Sequence, residues 1–149
     1  YLYNVHRLLQ KFDTAKSLVP QPVIKKAKRS TTLGAIYFGS TSPSMAEAIE
    51  VLEVENTHLD TLRLRAFPFP DSIAEFIAQH DTVFVVEQNR DSQMRSLLVN
   101  EFGINPAKLV PILHYDGTPI TARFIVHAIS TAVSATRSIH SHSDKVATP

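Results

Sequence analysis

Residues Thr82-Val-Phe-Val-Val-Glu87 constrain the fold of this chain more than any other stretch. Four of the five residues before Glu87 are Val or Phe, a β-branched and aromatic run without polar alternation. Such a run suits a strand buried on both faces, the situation of a strand in a parallel sheet covered by helices. The run stops at a carboxylate and passes through Gln-Asn89-Arg-Asp-Ser92 into Gln93, an amide-rich turn that opens a helix. In open α/β sheets, ligands and partners gather at the carboxyl ends of the strands. Glu87, Asn89 and Gln93 are therefore read as the residues placed for contact with a ligand or a neighbouring surface.

The flanking pattern supplies the rest of the sheet. Leu33-Gly-Ala-Ile-Tyr-Phe38 is a short apolar run, and Leu59 to Leu64 and Leu109 to Leu113 read as further strands. Between them lie helical faces: Met45, Ala48, Ile49 and Leu52, then Ile73, Ala74, Phe76 and Ile77 after a capping Asp71, then Met94, Leu97, Leu98 and Phe102. Thr121 N-caps a last helix through Phe124, Ile125, Ala128, Ile129, Ala132 and Val133. Strands alternating with helices predict right-handed βαβ units and a three-layer α/β fold, a mostly parallel sheet with helices on both faces. With 149 residues, one core of ordinary size is expected rather than two. The domain is placed at residues 33–137, preceded by an arm and linker at 1–32 and followed by a Ser- and His-rich tail at 138–149, expected to be flexible.

Charge separates the arm from the domain. Residues 1–32 carry seven Lys or Arg against Asp13 alone, whereas the remainder carries eight against thirteen acidic residues. Val5, Leu8, Leu9 and Phe12 form a short amphipathic stripe that precedes Val19-Pro20-Gln-Pro22, where two prolines forbid a continuing helix. A stripe with no local partner is expected to pack on a neighbouring domain or subunit. Lys25-Lys-Ala-Lys-Arg29 could serve as a polyanion-binding cluster, but no aromatic residue interleaves it, and a solvated linker is the preferred reading. The net charge of +1 gives no global case for nucleic acid. No apolar run approaches the roughly 18 residues of a membrane span, and no secretory leader is evident. The absence of cysteine excludes disulfides, thiolate catalysis and iron–sulfur ligation by this chain, and agrees with a cytoplasmic setting. Tyr1 rather than Met opens the sequence, and the expectation is that it continues a longer polypeptide.

Four loops could carry chemistry. Gly39-Ser40-Thr41-Ser42-Pro43-Ser44 joins a strand to a helix, and two readings stand: Ser40 and Thr41 as anion contacts at a helix N-terminus, or Ser42 or Ser44 as a simple cap. In Arg65-Ala-Phe67-Pro68-Phe69-Pro70-Asp71, exposed phenylalanines would be docking anchors, but one of them closing the end of the core is preferred. Glu87 could act as a general base, yet no histidine or nucleophile lies nearby, so a polar network that fixes the loop and bonds across an interface is preferred. His114-Tyr-Asp116-Gly117-Thr118-Pro119 is a turn leading to Thr121. The seven histidines show no metal-ligand spacing, so no metal site is expected, and no residue is assigned a catalytic role.

These segments, in this order, resemble the C-terminal, transketolase C-terminal-like domain of the alpha subunit of 2-oxoacid:ferredoxin oxidoreductases, particularly the 2-oxoglutarate type. Asn4-Val-His-Arg7-Leu-Leu-Gln-Lys11-Phe12 with Val19-Pro20-Gln-Pro22 looks like the segment by which that family leaves its preceding domain. Gly39-Ser40-Thr41, Leu64-Arg65-Ala-Phe67-Pro68-Phe69-Pro70 and Tyr115-Asp116-Gly117-Thr118-Pro119-Ile120-Thr121 are similar to its loops. Glu87-Gln-Asn89-Arg-Asp-Ser92-Gln93 is similar to a Glu-x-Asn-x-x-Gly-Gln signature, with Ser92 where the family usually has Gly; a serine there also promises a better N-cap. The resemblance implies an enzyme that oxidatively decarboxylates a 2-oxoacid with coenzyme A and reduces ferredoxin, using thiamine diphosphate, Mg²⁺ and an iron–sulfur cluster. It implies that this segment binds none of those cofactors itself and packs on the preceding domains of its own subunit and on the beta subunit. Two alternatives remain open: the corresponding domain of another thiamine-dependent, transketolase-like enzyme, or an independent α/β module that binds phosphate or another small ligand.

Overall fold

A computed structural model describes residues 1–143, with side chains through 135. Helix α1 (Leu2–Leu18) leads to strand β1 (Val23–Lys25), after which strands and helices alternate: β2 (Leu33–Phe38), α2 (Ser42–Val54), β3 (Asp60–Leu64), α3 (Asp71–Ala78), β4 (Thr82–Glu87), α4 (Gln93–Phe102), β5 (Leu109–Leu113) and α5 (Ala122–Ser143). The sheet order is β1-β3-β2-β4-β5, with β1 antiparallel to β3 and all other pairs parallel. The fold is thus the expected three-layer α/β arrangement. The last helix continues to Ser143, past the expected start of the tail at 138, and residues 144–149 lie outside the described residues.

Strand alternation sorts the core into two layers. Ala35 and Tyr37 of β2 and Phe84 and Val86 of β4 pack with α2 and α5 on one face. Ile36, Val83 and Val85 pack with α3 and α4 on the other. Both faces of β4 are buried because successive side chains point to opposite sides of a sheet covered on both. Pro111, which cannot donate to a ladder, sits in the edge strand β5. At the amino edge, Gly34 leaves room for two rings: a Cβ there would lie 3.0 Å from Phe76 Cε1 and 3.1 Å from His80 Cγ.

The linker differs from expectation. Val23-Ile-Lys25 is a strand on the β3 edge, where its backbone pairs with Thr61 to Arg63. The basic residues that follow remain exposed to solvent, as expected of a linker, and are also paired with the domain. Lys26 Nζ donates to Asp60 Oδ2 at 2.7 Å, Lys28 Nζ to Glu53 at 2.6 Å and Arg29 to Asn56 Oδ1 at 3.0 Å. The Glu53 carboxylate raises the Lys28 ammonium above its ordinary value. Asp60 also accepts from Ala27 N and faces His80 Nε2 at 3.1 Å. Burial pushes Asp60 up, but the bonds from Lys26, Ala27 and His80 outweigh it and hold the carboxyl below its usual range.

Candidate functional site

The chain leaves β2 toward β3 on one side and leaves β4 toward β5 on the other. The loops after β2 and β4 therefore diverge, and a crevice opens between them at the topological switch point of the sheet. It holds a cleft of about 520 Å³. Ser40 and Thr41 from the first loop and Gln88, Asn89 and Gln93 from the second line it, over a floor of Phe38, Met94 and Leu97. The two candidate loops read separately from the sequence thus form one site.

Strand alternation decides what each residue after β4 does. Glu87 continues the Val83–Val85 face toward α4, and it is fully buried. Its Oε2 accepts from Met94 N and Asn89 Nδ2, both at 2.7 Å, and its Oε1 accepts from Arg95 N at 2.9 Å. Asn89 Oδ1 accepts from Asp91 N at 3.1 Å and Gln93 N at 3.3 Å. The first three N–H groups of α4, orphans in any helix, are therefore satisfied by side chains from the preceding strand and turn. This is the loop-fixing network expected of the stretch. It also corrects the direct contact role expected of Glu87: with its oxygens occupied and no exposed surface, Glu87 shapes the site without facing it. Asn89 and Gln93 do line the cleft.

Ser92 is the second correction. It is the residue before α4, yet its hydroxyl makes no capping bond, because Ser92 adopts φ 55° and ψ 44°. Its Oγ is buried without a hydrogen-bond partner. Left-handed backbone here is where an L side chain is strained and glycine is not, which gives the Gly of the resembled signature a physical reason.

Gln88 is the residue the sequence reading missed. Its Nε2 donates to Ser40 Oγ at 3.0 Å and Thr41 Oγ1 at 3.2 Å, stitching the two loops together. The signal was present in the period of two: Phe84 and Val86 face α2, so Gln88 continues toward the loop that enters α2. Neither Ser42 nor Ser44 caps α2. Ser42 Oγ donates to Gly39 O at 3.0 Å and Ser44 Oγ to Ile120 O at 2.7 Å. Gly39 has φ 59°, which turns the chain out of β2.

A second cleft of about 330 Å³ adjoins the first and shares Phe38, Gly39, Met94 and Leu97 with it. Leu64, Arg65, Phe67 and Phe69 form its other wall. Phe69 is buried and stacks on Phe102 at 6.0 Å between centroids, closing the core as expected. Phe67 stays 46% exposed and contacts Phe69 and, from the arm, Phe12. Asp71 is not the expected cap of α3 but its first residue, 3.8 Å from Lys16 of α1. The later turn behaves as read. Asp116 accepts from Thr118 N and Oγ1, bonds that hold its carboxyl below the usual range, and Thr121 Oγ1 accepts from Phe124 N.

No family model and no curated protein sequence matches the chain. The solved structures that share its fold include the following three. The first is 2-oxoglutarate:ferredoxin oxidoreductase from Magnetococcus marinus with 2-oxoglutarate, coenzyme A and succinyl-CoA bound, at TM-score 0.72 and 22% identity over 85% of this chain. A split-gene transketolase, an inactive beta4 tetramer, superposes at 0.57 and 19% identity over 76%. The alpha chain of a probable 2-oxoacid ferredoxin oxidoreductase from Thermoplasma acidophilum superposes at 0.51 and 22% identity over 76%. The chain spans 23% and 41% of the first two and 97% of the third. The likeness is one of fold: this sheet of order β1-β3-β2-β4-β5, with helices on both faces, superposes on parts of two 2-oxoacid oxidoreductase structures and a transketolase.

Proposed function

We propose that this chain is the C-terminal domain of the alpha subunit of a 2-oxoacid:ferredoxin oxidoreductase, with 2-oxoglutarate as the preferred substrate of the whole enzyme. In that role it catalyses no step. It helps assemble an enzyme that converts a 2-oxoacid and coenzyme A to acyl-CoA and carbon dioxide while reducing ferredoxin. The observation that carries this reading is helix α1: seventeen residues long, it buries none of them, and Leu8, Leu9 and Phe12 remain 54%, 64% and 47% exposed. An apolar stripe of that kind, held beside the domain by the Phe12–Phe67 and Lys16–Asp71 contacts, suits packing against another domain or subunit.

The residues present do not fit the redox centres of such an enzyme. There is no thiolate for a cluster, and among the described residues no three His, Asp or Glu side chains gather as a metal-binding group. The proposal places thiamine diphosphate, Mg²⁺ and the iron–sulfur cluster on other domains and on the beta subunit, a reading that the lack of cysteine supports for the cluster. Glu87, next in the chain to the cleft-lining Gln88, is held by three donors, which supports a structural rather than a catalytic part.

The test is reconstitution. The chain is mixed with a beta subunit and an alpha subunit lacking this segment, and 2-oxoglutarate-dependent reduction of ferredoxin is followed. Activity is expected only in the assembled mixture, and Leu8→Lys with Leu9→Lys is expected to prevent co-elution. Turnover by the chain alone, or unchanged assembly of the double variant, refutes the proposal.

A further inference from the structure

We propose that the groove along the carboxyl edge of β3, β2 and β4 seats an extended, uncharged peptide segment bearing an apolar side chain. The apolar side chain enters the half walled by Leu64, Phe67 and Phe69, and the adjoining peptide group lies on Ser40, Gln88 and Gln93. The two clefts share Phe38, Gly39, Met94 and Leu97, so they are one groove with an apolar and a polar half. In the polar half, the Ser40 and Thr41 oxygens accept from Gln88 and keep their O–H groups as donors. Gln88 Oε1 and the Gln93 side-chain amide hold no hydrogen bond among the described residues. The surface thus offers both donors and acceptors, the pattern a peptide N–H and C=O require.

Charge argues against an anion in the same place, the other reading of Ser40 and Thr41. Arg90 is paired with Asp91 at 2.7 Å, and Arg95 donates to the Leu109 and Pro106 carbonyls at 2.6 and 2.7 Å. The first N–H groups of α4 are consumed by Glu87 and Asn89, and Pro43 removes one from the first turn of α2. Arg65 lies at the far, apolar end, where its guanidinium reaches Gln21 O at 3.5 Å. A neutral group with paired donor and acceptor suits the polar half better than phosphate. The inference goes beyond the assembly reading and does not depend on it, so failure to bind a beta subunit leaves it intact.

The experiment is a ¹⁵N–¹H NMR titration of the whole chain with N-acetyl-leucinamide, N-acetyl-alaninamide and inorganic phosphate in turn. The leucine amide is expected to shift the amides of 39–41, 67, 69 and 88–93 with a millimolar Kd, about tenfold tighter than the alanine amide because the longer side chain buries more apolar surface. Gln88→Ala and Phe67→Ala, each checked for an otherwise unchanged spectrum, are expected to weaken binding at least about fivefold. No saturable shift with the leucine amide overturns the proposal. So does phosphate shifting 39–41 where the amide does not, or equal binding of the two amides with no effect of Phe67→Ala.

Discussion

Replacing Ser92 by glycine should stabilise this protein, and the magnitude follows from two features of one residue. With φ 55° and ψ 44°, Ser92 holds left-handed backbone that costs an L-residue about 1–2 kcal/mol and glycine none. Its buried Oγ has no hydrogen-bond partner, a penalty of about 1 kcal/mol that the substitution also removes. Against these stands the larger entropy of a glycine in the unfolded chain, about 0.4–1 kcal/mol. The net expectation for Ser92→Gly is about 1–2 kcal/mol of added stability, or a rise in Tm of about 3–6 °C for a domain of this size. Urea unfolding of the two chains, with slopes compared to confirm the same exposed surface, reads the difference directly. Ser92→Ala separates the terms: it deletes the hydroxyl but keeps the Cβ in the left-handed region, so it should recover at most about 1 kcal/mol. If Ser92→Gly is neutral or destabilising with an unchanged slope, the strain argument fails.

Glu87→Gln should destabilise by about 3 kcal/mol, because an NH₂ group would then face Met94 N and Asn89 Nδ2 or Arg95 N, leaving buried donors unpaired; hydrogen exchange at Met94 and Arg95 should rise with the loss, and unchanged protection there would refute the capping role. Asp60 provides a pH test. Its carboxyl is held below the ordinary value in the folded chain, so its contribution is complete above the unfolded value of about 3.9 and is lost as pH falls through the folded one. Asp60→Asn should therefore cost about 1–2 kcal/mol at neutral pH and flatten the acid limb of stability against pH; parallel acid limbs for the two chains would show that the Lys26–Asp60–His80 cluster does not carry that dependence.

The layer architecture was legible because periodicity is written locally. The run from Val83 to Val86 could be buried on both sides only in a covered parallel sheet, and the four strands from Leu33 onward fell where the apolar runs lie. The strand at Val23–Lys25 was not legible. Three residues between a proline and a basic cluster carry too little pattern, and the strand exists because the β3 edge offers unpaired backbone groups for it to meet. The same holds for the basic cluster, whose solvated charges gain Asp60, Glu53 and Asn56 as partners only once the fold brings these beside them.

The functional edge divides in the same way. The sequence alone placed Glu87, Asn89 and Gln93 at the carboxyl end of a buried strand, since a strand's length and direction follow from its apolar run. Only the tertiary structure decided which of them faces inward, because that depends on where α4 begins relative to β4: the helix N-terminus lies under Glu87 and takes up its carboxylate. Likewise, the Ser40 and Gln88 loops lie 48 residues apart in the chain, and no local pattern relates them. The reversal of strand order between β2 and β4 brings them across one crevice, and hydrogen bonds of about 3 Å then make them a single surface.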